Sequence, residues 1–314
     1  MKRFCVVFIT LFLGVSHANS EVLTGYDAIE DFQLTDSGWL SSVAGTEFVL
    51  LENPTAVASK GNVVFFIDSG LNALYAYDMV SQKASTLSSA YSKIDGNVAS
   101  LYISRHLGLF IVDPFGGQVL KFDLQGDFFT SYEDSLNLNT PVGMCVNPTD
   151  NHVFIADGFY GHIIEFNQSG DPLALHGIRT RGQTQAGNNI IGMTCTDEEM
   201  FIVSKLSKNI NVFSYSGDLI RQIPRPEVHN PTAVAVDKYN RVYISDAFDD
   251  RIRVYDGTRM IAEFGGAGLD ALSFRDIKGL WVENSLLYVA DSMNRRVQIL
   301  TINHPSDGNP RYAP

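Results

Sequence analysis

The chain is poor in the residues that most often carry chemistry: its 314 residues include 3 Cys, 7 His and 2 Trp. No CxxC pair, no Ser-His-Asp order and no nucleotide-binding glycine loop occurs. Cys5 lies in a leading apolar run without the small residues of a lipoprotein site, which leaves Cys145 and Cys195, too few for a disulfide framework. Positive charge is also scarce, with 23 Lys and Arg against 35 Asp and Glu for a net charge of −12. Such a surface repels phosphate backbones and anionic lipid heads, so nucleic acid and membrane surfaces are excluded as default partners. A membrane-spanning helix needs about 20 apolar residues, and the run Phe4 to Val15 is too short. Preceded by Lys2 and Arg3 and followed by Ser16-His17-Ala18-Asn19-Ser20, it reads instead as a secretory signal peptide over residues 1–20. Cleavage is expected after Ala18 or Ser20, giving a periplasmic or secreted protein of residues 21–314. Loss of Lys2 and Arg3 leaves 21 basic against 35 acidic residues, a mature charge of −14.

What the chain has in abundance is periodicity. FFIDSGLNALYAY, LFIVDPFGGQVLKF, VFIADGFYGHIIEF, MFIVSKLSKNINVF, VYISDAFDDRIRVY and LYVADSMNRRVQIL are six copies of one unit. Their phase positions are Asp68, Asp113, Asp157, Ser204, Asp246 and Asp291, spaced by 45, 44, 47, 42 and 45 residues. Six residues beyond each stands an aliphatic anchor: Leu74, Val119, Ile163, Ile210, Ile252 and Val297. A period of this length means a supersecondary unit that buries its faces only against its neighbours.

Residues 230–264 show how the unit is built. After the turn signal Asn230-Pro231, strands are expected at Thr232–Val236, Val242–Ser245, Arg251–Tyr255 and Met260–Phe264, separated by polar turns. Four short strands per repeat match a propeller blade. The small apolar first strand is expected innermost, and the third, carrying Arg251 and Arg253, nearer the rim. The predicted fold is therefore all-β: a six-bladed β-propeller of four-stranded antiparallel blades in one domain. The last copy lacks a fourth strand, so a strand from about Ile29 to Val43 is expected to complete it, leaving no open edge and ordering residues 21–50.

The pattern Pro-Thr-Ala-Val-Ala-Val-Asp, Val-Tyr-Ile-Ser-Asp, Arg-Ile-Arg-Val-Tyr over residues 231–255 resembles an NHL repeat. Residues 277–300, with Gly279, Leu280, Tyr288, Val289, Ala290, Asp291, Asn294, Arg295, Arg296 and Val297, resemble it equally; the first three copies are looser and the fourth has Ser204 for Asp. The resemblance implies a binding platform more often than an enzyme, although lyases similar to this family hold zinc with three channel histidines. Here no three histidines share the inner phase: His229 lies near the channel mouth, His162 and His176 elsewhere, and His106 and His152 in turns on the opposite face. Gluconolactonase-like propellers, which use carboxylate and asparagine ligands, keep a divalent-metal hydrolase or lyase open as an alternative.

Three sets of residues follow from the phase. The repeat aspartates are expected to cap the loop after the second strand by accepting backbone N–H bonds. Before each inner strand stand Asn53, Asn97, Thr140, Asn189, Asn230 and Asp276, preceded in three blades by Glu52, His229 and Arg275. This polar mouth either caps turns or grips a small polar ligand, a peptide end or a divalent cation such as calcium, although no cofactor is required by the sequence. Two residues past each phase position stand Gly70, Phe115, Phe159, Leu206, Phe248 and Met293, with Leu71 and Tyr160 alongside. Large apolar residues in loops either seal the blade ends or form an interaction surface. The function expected is an exported, non-catalytic binding or scaffold module that takes a protein or peptide partner, with room for a role as subunit of an exported assembly. Cys145 and Cys195 fall two and three residues after the matched Gly143 and Gly192, so they are expected on opposite strand faces and as buried free thiols, although export permits a disulfide.

Overall fold

The computed structural model describes residues 27–34, 51–94, 96–177 and 189–303. Six four-stranded antiparallel sheets form the blades of a propeller. Blade 1 comprises Pro54–Lys60, Val63–Asp68, Ala73–Asp78 and Lys83–Thr86. Blade 2 comprises Ser100–Ile103, Leu109–Asp113, Gln118–Phe122 and Phe128–Glu133. Blade 3 comprises Pro141–Val146, Val153–Asp157, His162–Phe166 and Pro172–Gly177. Blade 4 comprises Ile190–Cys195, Glu199–Ser204, Asn209–Ser214 and Leu219–Pro224. Blade 5 comprises Pro231–Val236, Val242–Asp246, Arg251–Asp256 and Arg259–Gly265, each within two residues of its expected bounds.

Blade 6 takes Ile277–Glu283, Leu286–Asp291 and Arg296–Asn303 from the end of the chain and its fourth strand, Asp27–Leu34, from the beginning. That strand runs antiparallel to Arg296–Asn303, with Asp27 opposite Asn303 and Leu34 opposite Val297. The expected closure therefore forms, two residues earlier than Ile29. Of the expected span, residues 35–43 lie outside the described residues, as do the signal segment and most of 21–50.

The first strands meet in cyclic order around the axis. The second strands read as unbroken apolar runs because blades cover them on both faces, as in Leu109–Asp113, Val153–Asp157 and Val242–Asp246, where every residue is buried. Six apolar clusters fill the six spaces between successive blades, for example Phe110, Val119, Tyr132, Ile155 and Phe166 between blades 2 and 3. At about 1.5–3 kcal/mol for each large side chain removed from water, these interfaces dominate the stability of the ring.

Two expectations are corrected. Arg253 is not a rim residue exposed to water: it is 6% exposed. Its guanidinium meets Asp246 at 3.2 Å, Asp249 at 2.5 Å and Glu263 at 3.2 Å, so carboxylates of its own blade replace the lost hydration. Cys145 and Cys195 are joined in a disulfide with their Cα atoms 5.9 Å apart, instead of remaining free thiols. The opposite phase of the two residues is what brings them together. Neighbouring blades stack face to face, so a residue on one face of blade 3 meets a residue on the opposite face of blade 4.

Candidate functional site

Strand directions place two kinds of connection on one face of the ring, here called the upper face. The loops between second and third strands lie there, with the links that enter each first strand. The turns between first and second strands, and between third and fourth, lie on the lower face.

The phase aspartates join the two upper-face connections. Buried Asp157 accepts N–H bonds from Asn139 at 2.6 Å, Thr140 at 2.7 Å and Tyr160 at 2.5 Å. Buried Asp68 does the same for Glu52, Asn53, Gly70 and Leu71 at 2.7–3.1 Å. Asp246 accepts from His229, Asn230 and Phe248 at 2.7–3.0 Å. Asp113 accepts from Phe115 and Gly116, and Asp291 from Arg275. In blades 1, 3 and 5 one carboxylate thus fixes the inner mouth residue and the outer loop as a unit, which is a structural task. Burial pushes the Asp246 carboxyl up, but the three N–H bonds and the Arg253 charge outweigh it and hold the group below the usual aspartate range.

Blade 4 has no such carboxylate, and its substitute was not anticipated from the sequence. Arg225, 1% exposed, donates to the carbonyls of Ser204 at 2.6 Å and Val228 at 3.1 Å, and to that of Ser207. The carboxylate-to-amide tie of the other blades becomes a guanidinium-to-carbonyl tie. The available signal was an arginine between two prolines, Pro224 and Pro226, in the one blade lacking its aspartate.

The mouth residues are a polar rim. Glu52, Asn53, Asn97, Asn189, His229, Asn230 and Arg275 are exposed, and Thr140 and Asp276 half-buried. Several are engaged locally: the Asn53 amide donates to the Ser69 hydroxyl at 2.7 Å, the Thr140 hydroxyl to Asn139 at 2.9 Å, and Asp276 pairs with Lys278 at 2.9 Å. Asn189 and Asp276 adopt positive φ, 75° and 59°, as Asn and Asp do at turns. Inside the ring, Tyr102 of blade 2 meets Trp281 of blade 6 edge-on at 5.8 Å and approaches Cys195 of blade 4 at 3.9 Å. Burial pushes the Tyr102 hydroxyl up to about 12, so this phenol stays protonated. The other histidines are held apart: His162 lies 2.7 Å from the Asn137 carbonyl, and His152 and His176 both contact Glu165. Among the described residues, no group of three or more His, Cys, Asp or Glu side chains is arranged to hold a metal ion.

Outside the mouth lies an apolar crown. Phe115, Phe159, Leu206, Phe248 and Met293 are each 60–73% exposed, and Tyr160 is 46% exposed. They do not fold back over the blade ends. Tyr160 stacks on His162 at 5.5 Å and meets Phe159 at 5.0 Å, and Phe248 packs against His229 at 4.9 Å, tying the crown to the mouth. Leu71 is half-buried and Gly70 leaves blade 1 without a crown side chain. Leu136 and Leu269, 81% and 69% exposed in the links entering blades 3 and 6, extend the apolar surface. These two lie at different phases from the loop residues, so the repeat pattern did not expose them.

Fold and site define the class: a six-bladed β-propeller with a polar mouth and an apolar crown on one face. No protein-family model matches the chain, and no curated protein matches it, so the NHL relationship rests on the repeat residues alone. Among solved structures, virginiamycin B lyase from Staphylococcus aureus superimposes with a TM-score of 0.58 at 12% identity, covering 88% of this chain and 99% of that one. A streptogramin B lyase gives 0.58 at 14% identity, covering 90% and 100%. An auxiliary nutrient binding protein from Bacteroides thetaiotaomicron gives 0.62 at 12% identity, covering 91% and 79%. Such similarity carries the fold and no more, and these neighbours include both enzymes and a binding protein.

Proposed function

We propose that this chain is an exported, non-catalytic binding module that captures a protein or peptide partner on its upper face. The observation that supports this most is the exposure of Phe115, Phe159, Leu206, Phe248 and Met293 in equivalent loops of five blades. Water-exposed apolar side chains repeated on one face, rich in aromatics and methionine, have the composition of an interface core. The buried ties beneath them, aspartate in four blades and Arg225 in blade 4, reduce the ordering cost of binding. The polar mouth inside the crown supplies hydrogen-bonding groups for a chain end or side chain of the partner.

The test is co-purification from the native host with wild type and a Phe159→Ser/Phe248→Ser variant. Loss of a specific partner by the variant, with an unchanged melting curve, supports the reading; equal capture by both overturns it. Elemental analysis of the same material separates the alternative of a divalent-metal hydrolase or lyase. One divalent ion per chain would move the function to the mouth residues Asn189, Asn230, Asp276 and Glu52.

A further inference from the structure

The lower face carries a feature unrelated to the crown. A cleft between blades 2 and 3, with a volume of about 200 Å³, is lined by Ser104, His106, Phe110, Lys121, Asn151 and Gln168, with Val146 and Val153. Its centre is Lys121, which points from the third strand of blade 2 toward blade 3, on the same side as buried Val119. Lys121 is half-buried, and among the described residues no carboxylate pairs with it. Its ammonium has only ring contacts, 5.5 Å from the centroid of Phe110 and 5.9 Å from that of Phe129. Burial holds its pKa below the usual lysine range, the sign of a charge that has lost water without gaining a counter-ion.

A second donor stands beside it. Ser104 is 5% exposed; its oxygen accepts the Gly108 N–H at 3.1 Å, and its hydroxyl proton is taken by no described residue. Gly108 separates the two groups: a Cβ there would lie 3.1 Å from the Ser104 oxygen, 3.3 Å from Lys121 Cε and 3.0 Å from the Phe110 ring. A side chain at 108 would therefore press on three of the residues that line the cleft. Amides of Asn151 and Gln168 lie at the edge, and Phe110, Val146 and Val153 provide apolar wall.

We propose that this cleft binds a small carboxylic acid, its carboxylate between the Lys121 ammonium and the Ser104 hydroxyl and its short apolar body against Phe110, Val146 and Val153. An ammonium and a hydroxyl are both donors, and together they complement the two oxygens of a carboxylate. The protein as a whole is acidic, so an anion is admitted only where a local cation offsets the field. The volume limits the ligand to a handful of heavy atoms.

The experiment uses the full chain and propionate as probe, with inorganic phosphate and chloride at matched ionic strength. Binding is read by calorimetry, and protection of Lys121 from acylation is read by mass spectrometry of the modified peptides. Propionate is expected to bind and to protect Lys121 selectively over the exposed Lys83 and Lys238. Lys121→Gln is expected to weaken binding at least tenfold. Gly108→Ala keeps the charge but crowds the floor, and is expected to weaken it comparably; it also keeps the test decisive should Lys121→Gln misfold. Absence of propionate binding, protection by phosphate with propionate silent, or equal propionate affinity in wild type and Gly108→Ala would each overturn the assignment.

Discussion

Cys145 of blade 3 and Cys195 of blade 4 are bonded across two neighbouring inner strands, 50 residues apart in sequence. Chain-entropy arguments for a loop of this length give about 4 kcal/mol of stabilisation. Replacing both cysteines with alanine, or reducing the wild type, is therefore expected to lower the melting temperature by several degrees. Calorimetry with and without reductant checks this, and the double variant should become insensitive to reductant.

Arg225 should be among the most sensitive single positions. Arg225→Ala leaves the carbonyls of Ser204, Ser207 and Val228 without their buried donor. A loss of about 2–4 kcal/mol is expected, because each buried acceptor left unsatisfied costs about 1–3 kcal/mol. Urea unfolding measures it. A cost near that of an exposed Arg105→Ala change would show that the tie of blade 4 is not required.

Asp246 carries a pH dependence of defined sign. Its folded pKa is depressed, so its contribution to stability is present above the ordinary aspartate range and is lost as pH falls through the folded value. Wild type should lose stability steadily below about pH 4, and Asp246→Asn, already weakened at neutral pH, should fall less steeply over the same window. Parallel pH profiles of the two proteins would exclude Asp246 as a contributor.

Gly143 and Gly192 occupy matched positions but should differ in tolerance. A Cβ at Gly143 would sit 2.5 Å from the Met193 backbone nitrogen of the next blade, where backbone must move. At Gly192 the nearest atom is a Val234 methyl at 3.2 Å, which can shift. Gly143→Ala is expected to cost about 1–3 kcal/mol as an overpacked contact, and Gly192→Ala clearly less. Thermal unfolding of the two variants side by side decides the point.

By itself the sequence determined the number of blades, the four strands of each and the need for an N-terminal strand. Those features follow from local alternation and from a period that every copy repeats. It also located the crown, which keeps a fixed offset of two residues from each phase position, and the mouth, which was aligned on the position before each inner strand. Their exposure was decided only by the tertiary structure: whether Phe159 or Phe248 seals a blade end or faces water depends on loop direction, which no local pattern records. The disulfide, the burial of Arg253 and the role of Arg225 were decided there too. Each depends on which faces of different strands or blades meet, and contact across a ring is a property of stacking between repeats, not of the repeat itself.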